Sequence, residues 1–149
     1  MANRIVKVGI IGCGGIANGK HMPSLHKLPN VELVAFCDIV IERAEAAKAK
    51  YGTPDAKVYE NYKDLLADET IEVVHVCTPN RSHSFITVDA LDAGKHVMCE
   101  KPAGVYTKQV REGVTPTTTD KLVTLSTCLN SGDGRLLMVA VLEEEQQTN

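Results

Sequence analysis

Residues 4–11 (RIVKVGII) form a β-branched, mostly apolar run that ends at glycines, and a run without strict alternation predicts a strand buried on both faces. The segment from Gly15 to about His26 predicts a helix, kinked or restarted at Pro23. After the Pro29-Asn30 turn, Val31–Cys37 (VELVAFC) predicts a second strand. Residues Ile41–Tyr51 are rich in Ala, Glu, Lys and Arg and predict a helix stopped by Gly52. A short strand at Lys57–Tyr59, a short helix at Tyr62–Ala67 and a buried strand at Val73–Cys77 follow. The series continues with a helix at Ser82–Ala93, stopped by Gly94, and a short strand at His96–Cys99. Strands alternating with helices imply a parallel sheet with helices on both faces. The fold class is therefore α/β, a doubly wound Rossmann sheet with strand order 3-2-1-4-5.

The rhythm changes near residue 103. Residues 114–119 (VTPTTT) predict a loop, and Lys121–Thr127 and Leu136–Leu142 predict two strands joined by a turn over Asn130–Gly134. Two consecutive strands form a short β-hairpin-like tail or add to the sheet edge, where self-association becomes an option. No segment after Pro102 reads as a sixth parallel strand. The expected organisation is a cofactor-sized unit over 1–103 and an atypical tail over 104–149, polar and frayed from Glu143 onward.

The apolar share of 44% and charged share of 23% are those of an ordinary globular chain. A net charge of -3 gives no footing for nucleic acid or an anionic membrane as partner. The N-terminus leads straight into a strand-like run, without a signal-peptide pattern, so a cytoplasmic protein is expected. Cys13, Cys37, Cys77, Cys99 and Cys128 form no C-x-x-C pair, and four of the five lie in or beside apolar runs. Reduced, buried thiols are expected, and no metal-ligand set is predicted.

The chemistry concentrates at Gly12-Cys13-Gly14-Gly15-Ile16-Ala17, which fits G-x-G-x-x-(G/A) between the first strand and the first helix. Gly12 permits the tight turn, Gly14 lets a pyrophosphate approach the backbone, and a small residue at Ala17 lets the helix lie close on the sheet. Free N–H groups around Gly15 and Ile16 and the helix dipole would hold the phosphates. The second strand ends at Asp38, twenty-six residues after Gly12. A carboxylate there accepts hydrogen bonds from the adenosine ribose and repels a 2′-phosphate. NAD is favoured on that ground, and Arg43 nearby keeps NADP open. A helix cap or solvated loop residue is the other use of an aspartate at this place.

Three further segments narrow the identification. The fourth strand runs into Thr78-Pro79-Asn80-Arg81-Ser82-His83, and the fifth into Glu100-Lys101-Pro102. Together with GIIGCGGIA and FCD, residues 4 to about 103 resemble the glucose–fructose oxidoreductase/inositol dehydrogenase (Gfo/Idh/MocA) family. The resemblance implies hydride transfer between a nicotinamide and a hydroxyl carbon of a sugar, cyclitol or similar polyol. It places Thr78, Pro79, Asn80, His83 and Glu100 along the cofactor cleft. It makes Lys101 the catalytic candidate, able to polarise or deprotonate the reacting hydroxyl. It also marks Lys101-Pro102 as a position where a cis peptide is common. His83 is equally at home as the plain first residue of a helix. His75 and His96 read as packed core side chains, and His21 and His26 as helix residues without signal. The family's second domain, which covers the nicotinamide and binds substrate, has no counterpart in the chain, so a truncated cofactor-binding piece is expected.

The tail resembles something else. DKLVTLSTC followed by GRLLMVAV, within residues 106–142, is similar to the C-terminal end of a class B-like sortase, with Cys128 and Arg135 at the matching positions. The sortase histidine has no counterpart. Three readings follow: a dehydrogenase-derived NAD-binding domain, a non-catalytic module that binds NAD for regulation, and a remnant of a cysteine transpeptidase. A homo-oligomer is compatible with each.

Overall fold

A computed structural model describes residues 4–102 and, as backbone, residues 122–128 and 135–141. The strands are β1 (Val6–Ile11), β2 (Val31–Cys37), β3 (Lys57–Tyr59), β4 (Val73–Val76), β5 (His96–Cys99), β6 (Leu122–Cys128) and β7 (Arg135–Val141). The helices are α1 (Met22–Leu25), α2 (Ile41–Tyr51), α3 (Tyr62–Leu66) and α4 (His83–Asp92). They build one sheet in the order β3-β2-β1-β4-β5-β6-β7. The first five strands have the predicted order, and each pairing among them is parallel.

The tail brings a correction. β6 lies parallel to β5, with Val97 opposite Val123 and Cys99 opposite Leu125, and so occupies the place of a sixth parallel strand. β7 then pairs antiparallel with β6, which is the predicted hairpin joined to the sheet edge. The sequence predicts the strand but not its parallel place, because LVTLSTC mixes apolar and hydroxyl residues, whereas the other inner strands are nearly continuous apolar runs.

Successive residues of each strand face opposite sides, so the sheet is packed on both. One face buries Val8, Ile10, Leu33 and Phe36 against Ala17, Met22, Ala44, Ala47 and Tyr51 of the first and second helical segments. The other buries Ile11, Ala35, Val74 and Val76 against Leu65, Leu66, Ile86, Ala90 and Leu91 of α3 and α4. Adjacent Ile10 and Ile11 belong to different cores, so β1 is buried on both faces at its end.

The first helical segment departs from a plain α-helix. Residues Ala17–His21 form a π turn, closed by the Met22 N–H donating to Ala17 O, before α1 begins. Pro23 explains this. It has no N–H for Gly19 O, and its ring crowds that carbonyl, so the helix widens by one residue ahead of the proline. The extra residue rotates His21 toward the sheet, where it meets the ends of β4 and β5.

Candidate functional site

Strand register sets the site. Ile11 pairs with both Cys37 and Val76, and Val76 pairs with Cys99, so β1, β2, β4 and β5 end level. The residues that follow—Gly12, Asp38, Cys77 and Glu100—therefore form a row along the carboxyl edge, at the point where the strand order reverses. In open α/β sheets that crevice is where ligands bind.

Gly12 has φ +94°, and a Cβ there would lie 2.7 Å from the Cys77 carbonyl carbon and 2.8 Å from the Thr78 nitrogen. Both the backbone angle and the space demand glycine. Gly14 and Gly15 differ: a Cβ on either would meet nothing within 4 Å. The space in front of the loop is open, and Gly15 and Ile16 are exposed to it. Asn18 fastens the loop from behind, its Nδ2 donating to Cys13 O at 2.7 Å and Gly14 O at 3.2 Å.

Asp38 is only 8% exposed. Its Oδ2 accepts from the Cys13 N–H at 2.9 Å and its Oδ1 from the Val40 N–H at 2.9 Å. Arg43 Nη1 stands 4.0 Å away and its side chain is 59% exposed. The aspartate thus ties the end of β2 to the glycine loop and to the bend before α2. It is neither a solvated loop residue nor the cap of α2, and its carboxylate has further lone pairs to offer.

On the other side of the crevice, a 3₁₀ turn at Asn80–Ser82 leads into α4. Pro79 and Asn80 are exposed, and Thr78 Oγ1 is buried without a hydrogen-bond partner. His83 is 1% exposed, with Nε2 2.7 Å from Thr78 O and Nδ1 2.7 Å from Pro102 O. It bridges the segment after β4 to the segment after β5. A neutral ring has one N–H to donate, so two carbonyl partners at this distance are more than it can satisfy.

Glu100 is held at two points: Oε2 accepts from the Lys101 N–H at 3.1 Å, and Oε1 contacts His21 Nε2. The Lys101–Pro102 peptide is cis. The side chain of Lys101 is exposed at the crevice mouth. The structure thus brings Gly12, Gly14, Gly15, Ile16, Asp38, Thr78, Pro79, Asn80, His83, Glu100 and Lys101 to one edge. His21, a helix residue without signal in the sequence, joins them through Glu100. Proline two residues downstream was the available clue.

Of the remaining histidines, His75 is 3% exposed, as expected of a core residue. Burial, with His21 adding, pushes its imidazole down to about 3, so it is neutral at ordinary pH. His96 is exposed, which corrects its placement in the core: it begins β5 where the strand leaves the α4 turn. Cys13, Cys37, Cys77 and Cys99 are free and buried. Burial, reinforced by the Asp38 charge, pushes the Cys13 and Cys37 thiols up to about 12, and burial pushes Cys99 up to about 11. Burial also raises Cys77. These are protonated thiols, not nucleophiles. Cys128 and Arg135 are register partners across β6 and β7, and their side chains lie outside the described residues. Among the described residues no helix is long and apolar enough to cross a membrane.

The comparisons with known proteins agree with this geometry. A model of the oxidoreductase family with NAD-binding Rossmann fold matches residues 6–125. Inositol 2-dehydrogenase of Salmonella typhimurium is 43% identical over 100 residues, 67% of this chain and 30% of that protein. D-glucoside 3-dehydrogenase of Escherichia coli is 40% identical over 112 residues, 75% of this chain and 31% of the relative. Among solved structures, myo-inositol dehydrogenase from Lactobacillus casei, in complex with NAD(H) and myo-inositol, superimposes with TM-score 0.66 at 36% identity, covering 70% of this chain and 31% of its own. A 3-ketoreductase from Actinomadura kijaniata in complex with NADP gives TM-score 0.66 at 31% identity, covering 71% and 33%. The chain spans about 30% of the length of these curated relatives. It belongs to the Gfo/Idh/MocA oxidoreductase family, whose members share the NAD-binding Rossmann fold seen here.

Proposed function

We propose that this chain is the cofactor-binding part of an NAD-dependent dehydrogenase acting on a hydroxyl carbon of a sugar or cyclitol. The observation that carries the reading is the open space before Gly14 and Gly15, bounded by a loop that Gly12 and Asp38 fix in place. A pyrophosphate would lie in the open space beside the turn at Gly12, against the N–H groups around Gly14, Gly15 and Ile16. Asp38 would take the adenosine ribose hydroxyls. Thr78, Pro79, Asn80, His83 and Glu100 would border the nicotinamide end, where the Thr78 hydroxyl still lacks a partner.

When bound, the nicotinamide supplies the hydride acceptor. Lys101 would hold the substrate hydroxyl and take part in moving its proton. Glu100 and His83 would keep the Lys101-Pro102 segment in position from two sides. The relatives' names support the substrate class. Residues 1–103 would carry the cofactor unit, and 104–149 would extend its sheet. The free, buried cysteines fit a reducing compartment such as the cytoplasm, and an oligomer of this chain is compatible with its outer β7 edge.

The test is calorimetric titration of the purified chain with NAD and NADP. Saturable NAD binding is expected, and absence of binding of either dinucleotide refutes the reading. A turnover assay with a polyol panel separates a dehydrogenase part from a regulatory NAD-binding module. Where turnover is measured, with a substrate domain supplied in trans if needed, Lys101→Ala should cut it far more than it cuts NAD affinity. The transpeptidase reading has one observation behind it, the Cys128–Arg135 register. Two strands bring no histidine and no closed barrel, so Cys128 should alkylate as an ordinary thiol with pKa near about 8.5. Reactivity at markedly lower pH, or cleavage of a sorting-signal peptide, would revive it.

A further inference from the structure

Beside the crevice, and outside the residues assigned to the cofactor, His21, His75 and Cys77 converge. One ligand atom from each lies within 4.8 Å of the others. The His21 and His75 rings have centroids 4.4 Å apart at a tilt of 55°. His75 and Cys77 are separated by one residue at the end of β4, so they project to the same side. His21 comes from the π turn on the opposing layer. His75 and Cys77 are buried, while the His21 side chain is 20% exposed and marks the route inward.

We propose that this cluster is a binding site for Zn²⁺ or a divalent cation of similar softness. Imidazole nitrogen and thiolate sulfur are both zinc ligands, three of them hold a catalytic-type ion, and a fourth position remains for water or a carboxylate. Bonds of about 2.0–2.3 Å place tetrahedral ligand atoms roughly 3.3–3.8 Å apart. The observed spread needs to close by about 1 Å, within reach of side-chain rotation. Glu100 already contacts His21 Nε2, which leaves Nδ1 for the metal. A carboxylate that fixes the outer nitrogen of a ligating histidine is the usual supporting partner in zinc sites. Binding exchanges the Cys77 thiol proton for the metal, and the proton leaves to solvent. The alternation on β4 gives H-x-C, and the π turn gives the third ligand from 54 residues upstream of His75 (75 − 21), which is why no sequence spacing announces the set. The three ligands themselves lie outside the residues assigned to the cofactor, and only their supporting residue, Glu100, is shared with that reading.

The experiment uses the full untagged chain, freed of metal with chelator, and Co²⁺ as a spectroscopic probe for Zn²⁺. Stoichiometric Co²⁺ should give a thiolate-to-cobalt charge-transfer band with the visible bands of tetrahedral cobalt, and Zn²⁺ should displace it. Cys77→Ser should abolish the charge-transfer band, and His21→Gln or His75→Gln should weaken binding at least tenfold. Cys128→Ser should leave it unchanged. Because a buried variant can fail to fold, zinc K-edge absorption on the unaltered chain provides a second test. One sulfur at about 2.3 Å with nitrogen or oxygen neighbours is expected. No sulfur, two or more sulfurs, or a cobalt band that survives Cys77→Ser would overturn the site.

Discussion

The two sides of the crevice are built by different means. At the ends of β1 and β2, main-chain groups dominate: Asp38 accepts from two backbone N–H groups, and Gly12 N–H donates to Cys37 O at 2.8 Å. At the ends of β4 and β5, side chains do the joining. His83 bridges Thr78 and Pro102, and His21 reaches Glu100 across 79 residues of sequence. The first side is thus fixed by bonds within the chain itself. The second side holds titratable groups whose mutual arrangement sets where Lys101 stands.

The sharpest way to break the comparison lies within the glycine loop. Gly12→Ala should destabilise the fold by roughly 3 kcal/mol or more, because it combines a positive φ with overpacking against the β4 end. Urea or guanidinium unfolding checks this, and a change under about 1 kcal/mol would show that the loop can shift. On the other side, His21→Ala should cost about 1–3 kcal/mol, since it leaves the Glu100 carboxylate short of a partner in a mostly buried place. His21→Gln, which keeps a donor, should recover part of that loss. Equal losses in both variants would mean that packing of the ring matters and the contact with Glu100 does not. Gly14→Val should act on binding and leave the fold alone. Its side chain enters open space, so stability should hold within about 1 kcal/mol. NAD affinity should fall at least tenfold, about 1.4 kcal/mol, because the branched side chain takes the pyrophosphate's place.

How much of this was legible in sequence follows the same division. The strand order over β1–β5, the α2 boundaries, the tight turn at Gly12 and the place of Asp38 at the end of β2 are local statements. Apolar runs, an Ala-rich segment ending at Gly52 and a glycine spacing carry them within about 30 residues. The contacts of His21 and His83 are long-range, and no short pattern encodes them. The π turn was half legible: Pro23 announced an interruption, and its consequence for His21 required the fold. β6 was read as a strand but not as a parallel one, since residue pattern reports burial and says little about direction. His96 was misplaced because a first strand residue next to an apolar run can face either way.

The smallest effect concerns Asp38, and it bears on which cofactor the first side selects. The carboxylate has two tasks, and one substitution would confound them. Asp38→Ser removes the charge that repels a 2′-phosphate, but its shorter side chain also abandons the Cys13 N–H at 2.9 Å. Asp38→Asn removes the charge and keeps an acceptor oxygen for that N–H, giving up only the acceptor that faces the Val40 N–H at 2.9 Å. The unaltered chain should therefore prefer NAD to NADP. Asp38→Asn should narrow that preference severalfold with NAD affinity little changed. Asp38→Ser should narrow it further while weakening both dinucleotides, because the loop loses its anchor. Arg43, 59% exposed and only 4.0 Å from the carboxylate, is placed to swing toward a phosphate once the aspartate charge is gone. Arg43→Ala in the Asp38→Ser background should then reduce NADP binding and leave NAD binding unaffected. Competitive titration with both dinucleotides decides the matter. A natural preference for NADP would reverse the assignment, leaving Asp38 as the fastener of the glycine loop and Arg43 as the phosphate ligand.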